Sequence, residues 1–265
     1  MLLETIEKTQ TITQTTVKDN EVLVVILLYK NPAFKGTPRP FDLEICGKKM
    51  WKYTELACSD YEIKTTFCTN ETDVIAILKP MLNDKKYTLV LYSDTPLLRK
   101  STVDDITSYA KARQINAMKL KRGYIFNTEY LRQIDMVQNT ITQEFGTNDF
   151  TQIDGPKAFT EVCALMKKRI LDFHTQNGVL LHDTQTVFIG VDCIIEAGVE
   201  IFENNSIGGK TFIGRGTRLY SGNRIENSII KENCTLENCL LQNTKLERDT
   251  NLVQNKQIQN LKGET

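Results

Sequence analysis

Residues 187–258 read VFIGVDCIIEAGVEIFENNSIGGKTFIGRGTRLYSGNRIENSIIKENCTLENCLLQNTKLERDTNLVQNKQI. Aliphatic side chains recur in this stretch at every sixth position, at Ile189, Ile195, Ile201, Ile207, Ile213, Leu219 and Ile225. A six-residue period fits neither the helical period of 3.6 nor the strand period of two, and marks a repeat architecture. Two positions before each aliphatic residue stands a smaller one: Val187, Cys193, Val199, Asn205, Thr211, Thr217 and Asn223. The residue after it is glycine at 190, 208 and 214. The pattern predicts a left-handed parallel β-helix, in which each hexapeptide forms one side of a triangular coil. The large and small residues point inward and the corner takes Gly, Asn or Asp. The phase slips after Ile225, resumes at Ile230 and Leu236, and slips again to Leu240, Leu246, Leu252 and Ile258. Small partners follow at Ser228 or its neighbours, Cys234, Asn238, Thr244 and Thr250. About four stacked coils result, each burying what one repeat cannot. Short antiparallel strands are the competing reading, but they do not produce seven consecutive hits at one spacing.

The solenoid claims less than half of the 265 residues, so a second domain is expected upstream. Lys plus Arg and Asp plus Glu both number 33, and no net charge points to nucleic acid or an anionic membrane. The basic cluster Lys119, Lys121, Arg122 reads as a solvated surface. The seven cysteines form no CxxC pair and read as reduced, buried residues of a cytoplasmic protein. No signal peptide is visible, and the apolar run Val22 to Tyr29 is too short to span a membrane.

Residues 1–20 are polar and rich in Thr and Gln, and no function attaches to them. EVLVVILLY, from Glu21 to Tyr29, is a continuous apolar run expected of a strand buried on both faces. Helices are expected over Gly47–Ala57, Asp73–Leu82 and Thr102–Ala117. Strands are expected over Tyr87–Tyr92 and Gly123–Asn127. Strands alternating with helices predict an open α/β sheet over residues 21–156, with ligands beyond the carboxyl ends of the strands. Asp94 follows such an end and suits a Mg²⁺ ion, although a turn or helix-capping role fits the same position. Residues 157–178 carry Phe159, Val162, Leu165, Met166, Ile170 and Phe173 near helical spacing and stop at Gly178. They predict a linker helix into a solenoid over 179–258, followed by a polar tail.

A sheet domain, a linker helix and a hexapeptide solenoid in that order resemble the bacterial bifunctional N-acetylglucosamine-1-phosphate uridylyltransferase and glucosamine-1-phosphate acetyltransferase. RILDFHTQNGVLLHDTQTVFIG at 169–190 resembles the family's helix end and first coil. GGKTFIG at 208–214 and NRIENSIIKENCTLENCLL at 223–241 resemble later coils, including the five-residue slip. VLYSDTPLL at 90–98 resembles the strand end that carries the family's Mg²⁺-binding Asp, and Asp94 matches it. CGKKM at 46–50 and GYIFNTEYLR at 123–132 resemble further segments of the nucleotidyltransferase domain.

The departures bear on function. The family has a Gly-rich loop after its first strand, where backbone N–H groups approach the triphosphate. This chain has LYKNPAFKGTPRPF, in which Lys35, Gly36, Thr37 and Arg39 are the remnant and three prolines remove donors. CTNETDVI at 68–75 keeps neither the uracil-reading Gln nor its neighbours. The segment between Asp94 and Gly123 is too short for the sugar-binding insertion. The second metal-binding position falls near Asp154. The solenoid stops before the acetyltransferase coils, and His174 and His182 read as surface or packing residues. The resemblance therefore implies a shortened nucleotidyltransferase-like protein that has lost efficient uridylyl transfer. Such a protein would act in sugar-nucleotide binding, regulation or assembly and would lack acetyltransferase activity. An active Mg²⁺-dependent enzyme making an NDP-sugar such as UDP-N-acetylglucosamine, with Asp94 and Asp154 on the metal, is the first alternative. A homotrimeric scaffold assembled through the β-helix is the second.

Overall fold

The computed structural model describes residues 19, 21–37, 39–137, 140–146 and 148–253, with the backbone of 257–259. The polar lead-in, apart from Asp19, and the tail beyond 259 lie outside the described residues. The chain divides into two compact units: the residues up to Leu43 with Met50–Pro156, and Glu44–Lys49 with the residues from Lys157 onward.

The first unit is built on a six-stranded mixed sheet. Strand β1 (Val22–Tyr29) is buried over all but its last residue, as its unbroken apolar sequence requires. It pairs in parallel with β2 (Glu62–Cys68) on one side and β3 (Tyr87–Tyr92) on the other. Strands β4 (Ala117–Leu120) and β5 (Gly123–Asn127) form a tight antiparallel hairpin, and β5 pairs antiparallel with β3. A short β6 (Ile141–Thr142) closes the far edge beside β4, giving the order β2-β1-β3-β5-β4-β6.

Three helical segments differ from expectation. Helix α1 (Met50–Ala57) starts three residues late, because Glu44–Ile45 and Lys48–Lys49 pair as a hairpin. Cys46 and Gly47 at its tip have φ of 47° and 83°, the two positive values that a two-residue I′ turn needs. The expected helix from Asp73 to Leu82 is only α2 (Val74–Leu78), flanked by 3₁₀ turns Glu71–Asp73 and Lys79–Met81, the latter containing Pro80. Helix α3 (Lys100–Arg113) ends earlier than expected on a left-handed Gln114, φ 51°, freeing Ala117 to begin β4. Helix α4 (Thr128–Gln133) is capped by Asn127, whose side chain accepts from the Tyr130 N–H.

The second unit contains helix α5 (Pro156–Gln176) and the solenoid. Val162, Met166, Ile170, Leu171 and His174 form the buried side of α5, while Leu165 and Phe173 face outward. Gly178, at φ 87°, lies just past its end, as the sequence predicts. Beyond it the chain winds through three parallel sheets of five, five and four strands. Successive coils register Ile189 with Ile207, Ile195 with Ile213, and Ile201 with Leu219. The inward residues Ile189, Ile201, Ile207, Ile213, Leu219, Ile225, Ile230 and Leu236 are fully buried.

The second slip is corrected by the structure. Leu241, not Leu240, is the inward residue: it is 0% exposed and pairs with Ile225, whereas Leu240 is 40% exposed. Its small partner is Cys239, buried, rather than Asn238. The cause is the corner. Asn227, Asn233, Asn238, Asn243 and Asp249 all take positive φ, each immediately before an inward small residue, so the corner position sets the phase. The second slip is thus another five-residue side, Leu236 to Leu241, and a third follows to Leu246.

Polar inward positions are satisfied along the axis. Asn223 Nδ2 donates to Asn205 Oδ1 (2.9 Å), to the Tyr220 carbonyl (2.7 Å) and to the Leu236 carbonyl (3.2 Å). Its Oδ1 accepts from the Cys239 N–H at 3.0 Å. Asn223→Ala leaves several of these buried groups unpaired and is expected to destabilise the solenoid by about 2–3 kcal/mol. Urea unfolding followed by circular dichroism measures this, and an unchanged midpoint would contradict the role given to the ladder.

Candidate functional site

Because β5 runs against β3, its first residue sits beside the carboxyl end of β3, with Gly123 opposite Leu91. Only glycine fits there. Its φ is 140°, and a Cβ would stand 2.3 Å from the Val90 carbonyl oxygen. This close approach carries the preceding residue, Arg122, to the edge of the sheet where β1, β2 and β3 end.

Asp94 is fixed on the same edge by its neighbours. The Ser93 N–H donates to the Leu27 carbonyl (3.0 Å), and Ser93 Oγ accepts from the Tyr29 N–H (3.1 Å). The Asp94 carbonyl accepts from the Ile153 N–H at 2.8 Å. The Asp94 carboxylate is 2% exposed. Arg122 Nε lies 3.1 Å from each of its oxygens, Arg122 Nη2 donates to Oδ2 at 2.7 Å, and Gln152 Nε2 donates to Oδ2 at 3.0 Å. The remaining arm of the guanidinium, Nη1, donates to Glu71 Oε1 at 2.7 Å. Its plane centre lies 3.8 Å from the Tyr92 ring centre and 5.0 Å from that of Tyr29.

The electrostatics follow from burial. Burial pushes the Asp94 carboxyl above the usual carboxylate range, while the Arg122 hydrogen bonds and charge and the Gln152 hydrogen bond pull it back. For Arg122 burial lowers the pKa, but the bonds and charges of Asp94 and Glu71 outweigh it and the net shift is upward. Burial, then the Glu71 charge, raises the phenols of Tyr29 and Tyr92. Both tyrosines are therefore neutral at physiological pH.

The predicted phosphate-binding residues lie on the loop after β1. Its backbone donors are partly spent on the loop itself. The Ala33 N–H bonds Asn31 Oδ1, the Phe34 N–H bonds the Asn31 carbonyl, and the Thr37 N–H bonds the Phe34 carbonyl. Asn31 Nδ2 in turn ties the loop to the Ile153 carbonyl at 3.2 Å. Gly36 and Thr37 line a shallow hollow of about 440 Å³ with Lys30, Asn31, Pro32 and Phe34. Lys35 is exposed beside it. Arg39 turns away, with Nε 2.8 Å from Asp42 and its guanidinium over the Phe41 ring. Asp154 is exposed, one residue beyond Ile153.

The residues at Asp94 do not fit a Mg²⁺ ion. Such an ion takes oxygen ligands, and both oxygens of this carboxylate already face N–H donors, mostly from a cation that would repel the metal. Among the described residues, no group of three or more His, Cys, Asp or Glu is arranged to hold a metal. Arg122, expected on a solvated surface, is instead buried in the centre of the cluster. Glu71 and Gln152 were not singled out by the sequence either. The one available signal was the tight turn at Lys121–Arg122, which implies an antiparallel return to the β3 end.

In the second unit His174 is buried and burial lowers its pKa, whereas the His182 ring stacks on Phe202 at 4.0 Å and meets Glu200 Oε1 at 3.1 Å. The described cysteines are all free, and burial pushes the Cys46 and Cys193 thiols up to about 11. No helix among the described residues is long and apolar enough to cross a membrane.

The order of parts is that of a nucleotidyltransferase-like α/β unit followed by a hexapeptide-repeat parallel β-helix. In sequence the chain is similar to the bifunctional protein GlmU of Clostridium acetobutylicum, at 36% identity over 104 residues, 38% of this chain and 23% of that protein. GlmU of Clostridium tetani matches at 29% over 153 residues, 49% of this chain and 33% of that one. GlmU of Clostridium botulinum matches at 41% over 68 residues, 26% of this chain and 15% of the relative. The chain thus spans between about one seventh and one third of the length of these relatives. The family resemblance read from the sequence holds on these matches. No protein-family model matches the chain. Among solved structures, CMP:2-keto-3-deoxy-manno-octonic acid synthetase complexed with CTP aligns with 56% of this chain and 99% of its own, at 12% identity and a TM-score of 0.44. That score carries no residue or ligand across.

Removing the guanidinium tests the electrostatic account. Arg122→Gln takes away the influences that hold the Asp94 pKa down, so its folded value rises further above the unfolded value of about 3.9. A carboxyl that binds its proton more tightly when folded destabilises the fold in its ionised form. That penalty is fully present above the raised folded pKa and fades as pH falls through it. Arg122→Gln is expected to lose about 3–5 kcal/mol at pH 7 and to recover most of the deficit near pH 4. Thermal melts of both proteins across this range measure it, and an equal deficit at both pH values would contradict it.

Proposed function

We propose that this chain is a sugar-nucleotidyltransferase-like protein that binds a nucleotide or nucleotide-sugar without transferring it, and that it serves as a binding, regulatory or assembly subunit. It carries no acetyltransferase activity in this reading. The supporting observation is the Asp94 carboxylate held by Arg122 and Gln152. Nucleotidyl transfer depends on positioned cations and free backbone donors around the phosphates. Here the carboxylate is committed to a guanidinium, and the loop after β1 spends N–H groups on itself. The similarity to GlmU supports the nucleotidyltransferase-like class. Incubation with UTP, N-acetylglucosamine-1-phosphate and Mg²⁺ is expected to release no pyrophosphate above a denatured control. Robust release that Asp94→Asn abolishes would overturn the reading in favour of an active Mg²⁺-dependent enzyme using Asp94 and Asp154.

Side-by-side assembly of the solenoid into a homotrimer is the second reading. Ile194, Phe212 and Ile229 stand in register on the outside of one solenoid face, each half-buried, forming a continuous apolar column. Such a column stabilises a protein through burial against another surface. Light scattering at micromolar concentration is expected to give about three times the 30.3 kDa chain mass. A monomeric mass would remove this reading, and Phe212→Glu is expected to shift the trimer towards monomer.

A further inference from the structure

The Arg122 guanidinium is shared by two carboxylates of different character. Asp94 is 2% exposed and holds the inner edge through Nε and Nη2. Glu71 is 45% exposed, comes from the 3₁₀ turn after β2, and meets only the outer Nη1. The two pairs differ in cost of separation. A buried pair is far costlier to break than a half-exposed one, because water resolvates the released carboxylate of the latter. Arg122 is therefore anchored from inside and loosely capped from outside.

The surroundings of Nη1 match what a phosphoryl oxygen needs. The guanidinium is a planar donor that suits phosphate, and it is held rigid over the Tyr92 ring with Tyr29 beside it. It stands on the edge where three strands end, the place ligands occupy in open α/β sheets. The loop after β1, which follows directly on Tyr29, carries Lys30 in the wall of its hollow and an exposed Lys35. Exchange of the Glu71 carboxylate for a ligand's phosphate also leaves Arg122 paired throughout.

The geometry points to Arg122 as a built-in cation for a phosphate-bearing ligand, which binds without metal by displacing Glu71 from Nη1. This inference rests on the binding reading above and supplies its chemistry. The disagreement between Asp94 and a metal site is then the consequence of a protein cation standing at that carboxylate. The ligand class is a compound with an exposed phosphate or diphosphate, either free or as part of a nucleotide-sugar.

The test is calorimetric titration of the full chain with inorganic pyrophosphate and, separately, with UDP-N-acetylglucosamine, each in excess EDTA and again with Mg²⁺. Binding in EDTA is expected for at least one probe. Pyrophosphate binding alone identifies the phosphate as sufficient, and UDP-N-acetylglucosamine binding alone shows that the nucleoside or sugar is needed as well. Glu71→Gln removes the competing charge and is expected to tighten that binding about fivefold, the equivalent of about 1 kcal/mol. Glu71 is half exposed, so this variant folds whether or not the proposal is right. Arg122→Gln, checked for folding by circular dichroism, is expected to abolish binding in EDTA. Binding that requires Mg²⁺, or that Glu71→Gln leaves unchanged, overturns the inference and leaves the reading of a non-transferring binder standing. No binding of either probe under any condition removes both, and pyrophosphate release in the turnover assay removes the non-transferring reading alone.

Discussion

A carboxylate taken out of water has to be neutralised where it stands, and at the carboxyl edge of this sheet the neutralising group is part of the chain. Asp94 gives up almost all solvent contact and receives N–H donors from Arg122 and Gln152 in return. Desolvation alone would push this carboxyl towards its neutral form. The guanidinium keeps the charged pair satisfied and aligns against Tyr92 in the same position. The placement of that guanidinium depends on the backbone geometry of the next residue, Gly123, and of the hairpin it belongs to. The β4–β5 hairpin reverses the chain, and Gly123 alone permits the approach of β5 to Val90 that brings Arg122 to the site.

The second unit obeys a different constraint. Each coil must place one large and one small inward residue on every side, and the corner residue decides where the next side begins. Six-residue sides persist to Ile225. Five-residue sides then enter from Ile225 to Ile230, Leu236 to Leu241 and Leu241 to Leu246, each turned at a left-handed Asn, while the side from Ile230 to Leu236, with a left-handed Asn233, keeps six residues. The side-chain ladder through Asn205 and Asn223 satisfies the polar inward positions of the six-residue sides and reaches the Cys239 N–H in the next coil. Coil after coil remains in parallel register despite unequal side lengths.

Much of this fold was legible because it is written locally. The hexapeptide pattern repeats the same inward and outward roles many times, and β1, β3 and β5 are apolar runs that no other element fits as well. The misplaced slip at Leu240 arose because Leu240 and Leu241 are adjacent and equally apolar; only the backbone conformation at Asn238 distinguishes them. Strand β2 carries a weak sequence signal because it lies at the sheet edge and mixes polar with apolar residues in EIKTTFC. Asp94 was found from its strand-end position. Its partner was not, because the direction of β5 is a pairing property and Lys119, Lys121 and Arg122 look alike in sequence. Glu71 belongs to a turn whose position depends on β2, so it could not be placed before that strand was known.

The central claim is that a guanidinium, not a metal ion, stands at Asp94. Titration with Mn²⁺ as a paramagnetic substitute for Mg²⁺, followed by electron paramagnetic resonance, tests it most directly. The account predicts that the wild-type chain binds no stoichiometric Mn²⁺, with or without UDP-N-acetylglucosamine present. One equivalent of Mn²⁺ bound by the wild type and lost in Asp94→Asn would contradict it.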